Sequence, residues 1–410
     1  MSARANRGAP ITVRGGRGGI SVALGDLSRA VVELRSGADV LGAAAFGVHR
    51  LDLWSQELVL SGVDVASMLA RTEWRRTAAV GLLRDLSGDL GHLAWRTRTV
   101  VNGYWLAEHE AALALRLGRE ATIAVSRSLQ VLSEPIGMLR DGTPAPAEAV
   151  PVDVESRVEI WDLASIMTSQ SLLSGQPVVR VIEVPQADRS SAWILQIPGT
   201  QVWDPRAGPV AHDLTSDVRL MGHQDGVLPR AALDALAQAQ ASSGRRDRGD
   251  PVLVSGHSLG GIAAMSIAAD PRAHERFHIT HVVTAGAPVG HFVVRDEVAV
   301  LSLEHEDDVV HRADLAANPD RPNWTTVLRD VPGGRMVGPG SAPSEHGALT
   351  YRETARLASS AAEDGSEPSL VAWSATAAPF LARAATLPAE SRREQRIRDY
   401  RVSRVAESRS

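Results

Sequence analysis

The sequence contains no cysteine and no lysine. Without cysteine, the chain cannot form disulfides, thiolate nucleophiles, iron–sulfur ligation or cysteine-based zinc sites. Without lysine, it cannot form a phosphate-binding Gly-Lys-Ser/Thr loop, a Schiff base or a Ser-x-x-Lys dyad. All 43 basic residues are arginines, which is typical of a GC-rich bacterial genome. These two absences exclude a large part of common enzyme chemistry.

Long apolar runs are also missing. The best apolar stretch, Leu370 to Ala382, contains Pro379 and falls short of the roughly 18 residues that a membrane helix needs. The N-terminal arginines are followed by glycine-rich sequence instead of the apolar centre of a secretory signal. We therefore expect no transmembrane segment, and a protein that is cytoplasmic or exported by a type VII-like route. The net charge of -5 gives no overall attraction to nucleic acid.

Proline is scarce in the first third of the chain and frequent afterwards. Of the 22 prolines, 21 lie from Pro135 onward, and a length of 410 residues favours two or three domains. The predicted organisation is a Gly/Arg-rich tail (1–19), a helical bundle (20–132), a Pro-rich linker (133–152), an α/β domain (153–388) and a basic tail (389–410).

The N-terminal region has the apolar spacing of amphipathic helices. One stripe comprises Leu27, Val31, Leu34, Ala38 and Leu41; a second comprises Trp74, Ala78, Leu82 and Leu86; a third comprises Val101, Trp105, Glu108, Ala112 and Leu115. Spacings of three and four residues place side chains on one helix face, so we expect an all-α bundle of about four helices. The core is expected to hold Trp54, Trp74, Trp95 and Trp105.

Beyond the linker, short β-branched runs alternate with helical patterns. The predicted elements are strands at 178–184, 192–197, 252–255, 279–285 and 298–303, and helices at 231–241, 259–269, 348–362 and 369–385. This alternation predicts an α/β fold with a mainly parallel sheet flanked by helices. The arginine-rich segment 391–410 is expected to be a frayed, solvated end.

The segment from Pro251 to Gly261 is the strongest chemical signal. An apolar strand runs into Gly256-His257-Ser258-Leu259-Gly260, and a helix pattern follows. A nucleophilic serine needs a sharp strand-to-helix turn, and glycines two residues to either side let the neighbouring backbone pass. The sequence therefore predicts Ser258 as a nucleophile, with Gly256, His257 and Gly260 forming the turn around it.

A serine nucleophile needs a base, and the base needs an orienting acid. His346 lies in a loop before a helix and follows every candidate acid, which makes it the predicted base. Asp308 lies beyond a late strand and is the predicted acid, with Asp307 and Glu306 as rivals. The predicted oxyanion donors are the Leu259 amide, beside the nucleophile, and the Thr200 amide, in the turn after an earlier strand.

These motifs resemble the α/β-hydrolases, and within them the class 3 lipases. The resemblance covers roughly 178–356, and its motifs are Pro198-Gly199-Thr200 with Trp203-Asp204, Gly222-His223, Gly256 to Gly261, Thr284 to Gly290, Asp308-Val309-Val310 and His346. It implies an α/β-hydrolase-like fold and hydrolysis of acyl-glycerol or simpler esters by Ser258, His346 and Asp308. The family usually has arginine where Pro198 stands and proline where His311 stands, so the lipid specificity stays open. The segment 201–226 is either a lid or an ordinary loop.

The early helical stripe also resembles the helical modules fused to hydrolases and toxins that actinobacteria export by type VII secretion. The Trp-x-Gly hairpin signature of those modules is missing. The resemblance implies a partner for the N-terminal bundle.

Two other readings compete with the esterase. His274, Glu275 and His278 spell His-Glu-x-x-His, which on a helix would place two imidazoles on one face for zinc. Pro271 and the strand predicted from residue 279 leave too little room for that helix. The second alternative is a catalytically idle hydrolase fold that serves as an exported or partner-binding module. The favoured prediction is a serine-dependent ester hydrolase that needs no cofactor and no metal.

Overall fold

The computed structural model describes residues 11–17, 19–50, 65–133, 135, 137–186, 188, 190–244, 249–331, 346–381 and 394–405. These residues form a mixed α/β protein with a mostly parallel central sheet flanked by helices and with an N-terminal helical part. The chain divides into two compact units, residues 21–112 and residues 1–20 with 113–410. Among the described residues, no helix combines the length and the apolar content that a membrane span requires.

The unit 21–112 is built from helix α1 (Ile20–His49) and the first part of helix α2 (Val65–Ser133). The two run antiparallel, because the Ser87 hydroxyl donates to the Ala38 carbonyl at 2.8 Å while the Arg76 guanidinium donates to the His49 carbonyl. The buried positions repeat every seven residues, as in a coiled-coil seam. They are Val31, Ala38 and Ala45 in α1, and Val80, Ala94 and Val101 in α2.

This arrangement corrects two predictions for the N-terminal region. Within its described residues, the region holds two long helices, whereas about four were expected. The stripe through Trp74 and Leu82 does not face the seam, since the two side chains are 73% and 69% exposed, and Trp95 is 58% exposed. The apolar repeat of seven, with small residues at the contact, determines the buried face instead. Trp54 and the side chain of Trp105 lie outside the described residues.

Within the described residues, the sheet has nine strands in the order β1-β9-β8-β7-β6-β5-β4-β10-β3, where β1 is Thr12–Gly15, β4 is Val178–Pro185, β10 is Arg396–Arg401 and β3 is Glu148–Val150. Strands β5 to β9 run parallel to one another, and the remaining pairs in the sheet are antiparallel. Those five strands are β5 (Ser191–Ile197), β6 (Pro251–His257), β7 (His278–Ala285), β8 (Ala299–His305) and β9 (Trp324–Arg329). Their carboxyl ends meet at one edge of the sheet, where α/β proteins place their ligands.

Helices cover both faces of this sheet, so each face has its own apolar core. One face packs against α5 (Val227–Ser242) and α6 (Leu259–Ala269). The other packs against α3 (Leu163–Ser171), α8 (Ala348–Glu363) and α9 (Pro368–Ala377). The strands are buried on both sides, which is why their sequences are apolar runs without alternation. Two short helices, α4 (Leu214–Met221) and α7 (Pro271–Arg276), complete the set.

Both tails and the linker contribute strands, contrary to the sequence-based expectation. From the N-terminal tail, β1 (Thr12–Gly15) pairs with β9. From the linker, β2 (Thr143–Pro144) pairs with β11 (Arg404–Val405), and β3 (Glu148–Val150) pairs with β10 (Arg396–Arg401).

The prediction of a frayed C-terminal end is therefore wrong for 394–405. Strand β10 inserts between β3 and β4 (Val178–Pro185). Its Asp399 accepts two hydrogen bonds from Arg180, which is fully buried, at 2.7 and 2.8 Å. Tyr400 and Val402 are buried as well. The segment is rich in charge, and the buried partner Arg180 makes its insertion into the sheet possible.

Candidate active site

Ser258 occupies a strained turn between β6 and α6. Its φ of 54° lies in the left-handed region, which a residue with a side chain rarely adopts. Its amide donates to the Ala285 carbonyl at 2.9 Å, which ties the turn to the end of the neighbouring strand β7. The turn also requires two glycines. A Cβ at Gly256 would lie 2.0 Å from the Gly260 oxygen, and a Cβ at Gly260 would lie 1.8 Å from the Ile197 oxygen.

His346 and Asp308 form a buried pair at the same edge of the sheet. The His346 Nδ1 lies 2.7 Å from Asp308 Oδ2, and the side chains are 8% and 0% exposed. Asp308 follows β8, and His346 immediately precedes α8. The rival acids Asp307 and Glu306 are both exposed. The structure thus places the predicted acid Asp308 in contact with the predicted base.

Asp308 stays ionised in spite of its burial. Burial on its own would raise the pKa of this carboxyl, but hydrogen bonds from His346, Tyr351 and the Val310 amide outweigh it and hold the pKa below its ordinary value. The Tyr351 hydroxyl donates to Asp308 Oδ2 at 2.7 Å, and its ring stacks on His305 at 3.8 Å. An ionised acid at Nδ1 leaves the Nε2 atom of His346 able to accept a proton.

His257, the residue before Ser258, links the serine turn to His346, the predicted base. Its Nε2 lies 2.5 Å from the His346 backbone carbonyl, and the two rings are 4.8 Å apart. Burial lowers the pKa of His257 to about 3, and His346 adds to the shift. The neutral ring therefore donates from Nε2 to that carbonyl, which fixes the chain at the position of the base. The sequence assigned His257 to the turn without finding this contact.

The loop that carries Thr200 packs directly against Ser258, the predicted nucleophile. A Cβ at Gly199 would lie 3.1 Å from Ser258 Cβ and 3.2 Å from the His257 oxygen. Leu259 is the first residue of α6, so its amide has no partner inside the helix. Among the backbone hydrogen bonds of the described turns, loops and helix caps, none is donated by the Leu259 amide or by the Thr200 amide. Both amides therefore stay candidates for the predicted oxyanion donors.

The side chain of Thr200 contacts a carboxyl group that was not predicted from the sequence. The Thr200 hydroxyl donates to Asp217 Oδ2 at 2.8 Å. Burial raises the pKa of Asp217 to about 7, the nearby Asp213 adds to the increase, and the hydroxyl of Thr200 opposes it. Asp217 lies in α4, inside the segment 201–226, for which the sequence leaves both a lid and an ordinary loop as interpretations. Its spacing from Thr200 gave no signal, because only the folding of α4 brings the two together.

The zinc alternative has no geometric support. Helix α7 ends at Arg276, and His278 already belongs to β7, so the two histidines do not share a helix face. The His274 Nε2 lies 2.8 Å from the Ala268 carbonyl, and the His278 Nδ1 lies 2.9 Å from the Gly249 carbonyl. Over the described ranges, no three His, Asp or Glu side chains form a group that could hold a metal.

His311 occupies the position where the lipase resemblance expects proline. It is buried, and its Nε2 lies 3.8 Å from Glu304 Oε2. Burial lowers the pKa of His311 to about 4 and raises that of Glu304 to about 7, so both groups lean toward their neutral forms. A buried histidine at position 311 is thus compatible with the contact between Asp308 and His346.

Comparisons of the chain with protein-family models, with curated proteins and with solved structures found no match. The assignment of a function therefore depends on the geometry of the site.

Proposed function

We propose that this protein is a serine-dependent carboxylic ester hydrolase with an α/β-hydrolase-like fold. One observation carries the proposal: a strained Ser258 turn lies at the same sheet edge as a buried, hydrogen-bonded His346–Asp308 pair. A backbone strain of this kind persists only where the surrounding structure enforces it, and it clusters at reactive sites. The resemblance of the motifs to class 3 lipases supports the same reading.

The proposed reaction has two halves. The Ser258 oxygen attacks the ester carbon while His346 Nε2 takes the hydroxyl proton, and the imidazolium then gives that proton to the departing alcohol. Water attacks the resulting acyl-enzyme, His346 takes a proton from it, and the carboxylic acid leaves as the proton returns to Ser258. Asp308 holds the tautomer of the base and stabilises its charged form in both halves.

The negative oxygen of each tetrahedral intermediate needs prepared donors. The amides of Leu259 and Thr200 supply them, and the N-terminus of α6 adds a favourable dipole. Removing one such donor elsewhere costs about 10²–10³ in kcat. A side chain at Gly199 would lie 3.1 Å from Ser258 Cβ and would push the Thr200 loop away from the serine by a few tenths of an ångström.

The substrate class follows from the resemblance: acyl-glycerol or simpler esters, with the acyl chain length to be measured. The competing hypothesis is a catalytically idle fold that acts as an exported or partner-binding module. No contact within the described residues favours it, whereas an idle fold has no use for a strained serine beside a buried acid–base pair.

A fluorophosphonate probe tests the proposal, with turnover of short and long p-nitrophenyl esters measured in parallel. We expect the wild type to be labelled at Ser258 and Ser258→Ala to lose both label and turnover. Ser255→Ala is the matched control, since Ser255 is buried in β6, three residues before Ser258. Labelling of Ser258→Ala would overturn the proposal, because another residue would then be the nucleophile. A wild type with neither label nor turnover would favour the idle fold.

A further inference from the structure

Arg404 lies in the C-terminal strand β11, far from Ser258 in the sequence. Its side chain is buried and contacts two carboxylates. Its side chain is 1% exposed. Its guanidinium donates from both Nη atoms to Asp213, with Nη2 lying 3.0 Å from Oδ1, and its Nε lies 3.0 Å from Asp141 Oδ1. The Nη2 atom also donates to the Ser216 hydroxyl at 3.2 Å.

Asp213 is the residue on which α4 begins. Its Oδ1 accepts the Ser216 amide at 3.0 Å, which is an N-cap contact. The main chain on either side of Asp213 is bonded to the loop that follows Thr200, because the Leu214 amide donates to the Val202 carbonyl at 3.0 Å. Arg404 therefore fixes the start of α4 and the loop beside it at the same time.

The next turn of α4 reaches the oxyanion corner. The Asp217 amide donates to the Asp213 carbonyl at 3.1 Å, and Asp217 Oδ2 accepts the Thr200 hydroxyl at 2.8 Å. A continuous series of contacts thus leads from Arg404 through Asp213 and Asp217 to Thr200. Arg404 lies in a strand and Asp217 in a helix, whereas Thr200 lies in the loop after β5.

Stability alone is a poor explanation for this arrangement. Burying an arginine with two carboxylates carries a large desolvation cost, and apolar replacements of such groups are often as stable. What a buried bidentate pair provides is a defined position, since the planar guanidinium accepts few orientations. The group whose position matters most here is Thr200, whose amide must point at a developing charge.

We propose that Arg404 is a positioning residue that sets the Thr200 amide in the oxyanion hole by way of Asp213 and α4. The inference rests on the proposed ester hydrolase function. It assigns a part of the catalytic geometry to the C-terminal strand, which the sequence placed in a solvated tail.

The test is a set of variants assayed for ester turnover in the full chain. Asp213→Asn keeps an N-cap residue but removes the charge that holds Arg404, and Thr200→Val keeps the amide but removes the hydroxyl that contacts Asp217. We expect each to lower kcat about 10-fold or more, with KM within about two-fold of the wild type. The double variant should lose no more than the worse single variant, because both act through one contact series.

Arg401→Gln is the matched control. Arg401 is the last residue of β10, three positions before Arg404, and its side chain is 53% exposed and pairs with Glu148 at the surface. This variant should leave kcat unchanged. Should Asp213→Asn not fold, Asp217→Ala removes the acceptor of the Thr200 hydroxyl, breaks the same series one step later and must give the same loss of kcat. Independent, multiplying losses in the double variant, or variants with wild-type kcat, would overturn the inference. A wild type without Ser258-dependent turnover would instead overturn the proposed function itself.

Discussion

Gly260→Ala is the perturbation whose effect can be worked out most directly from the structure. The added Cβ would lie 1.8 Å from the Ile197 oxygen and 2.8 Å from the Pro198 oxygen, whereas ordinary van der Waals contact begins at 3.4 Å. The start of α6 and the loop after β5 must therefore separate by about 1.5 Å. Overpacking of this size costs about 1–3 kcal/mol or more of unfolding free energy, because both partners are backbone and neither can rotate away.

The same separation moves the Ser258 turn away from the Thr200 loop. A misplacement of about 1 Å at a reacting centre can cost about 10²-fold in rate, so we expect kcat/KM to fall by at least that factor. Ester turnover and urea unfolding of the variant measure the two effects. Gly81→Ala is the control, since nothing lies within 4 Å of its Cβ and the helix gains about 1 kcal/mol. A Gly260→Ala protein with wild-type stability and turnover would refute the close approach on which the site depends.

Three further predictions concern the acid and the pH response. Asp308→Asn should lower kcat about 10³–10⁴-fold with little change in far-UV circular dichroism, because an amide favours the wrong imidazole tautomer; an active Asn variant would exclude Asp308 as the acid. Tyr351→Phe removes a hydrogen bond to a buried anion and should lower the free energy of unfolding by about 1.5–3 kcal/mol in urea titration. The control Tyr400→Phe, whose hydroxyl contacts the neutral Ser242, should lower it by about 0.5–1.5 kcal/mol. Equal costs would contradict the charge on Asp308. Burial lowers the pKa of five histidines to about 3 or 4, and burial raises that of Asp217 and Glu304 to about 7. Below pH 6.5 these five histidines bind protons in the unfolded chain but stay neutral in the folded one, which destabilises the folded state. The two acids bind protons in the folded state first and offset only part of that loss of stability. The free energy of unfolding should thus fall by about 2–5 kcal/mol between pH 7 and pH 5, and a constant or rising value by urea titration would contradict the histidine burial.

The sequence predicted the parts of this protein whose signal is local. Strand β6, the serine turn and α6 follow from apolar runs and from glycines that only a close backbone approach requires, and the structure has α6 at the predicted bounds. The mostly parallel sheet follows from alternating strand and helix patterns. These features depend on neighbouring residues alone.

What the sequence did not predict depends on contacts between distant segments. Strand β10 looks like a charged tail until Arg180, more than two hundred positions earlier, supplies a partner for Asp399. Tyr351 and Asp217 lie in ordinary helical patterns, and only the packing of α8 and α4 brings them to Asp308 and Thr200. In the N-terminal region, competing apolar stripes left the choice of buried face to the helix pairing.

The central claim is that Ser258 forms an acyl-enzyme, and intact-mass analysis of the protein quenched during turnover of a p-nitrophenyl ester tests it most directly. The account predicts a mass increase equal to one acyl group, located by peptide mapping on Ser258, together with a burst of p-nitrophenol equal to the enzyme concentration. The adduct should be absent in Ser258→Ala and present in Ser255→Ala. Steady turnover without any adduct or burst, or an adduct on another residue, would contradict the account.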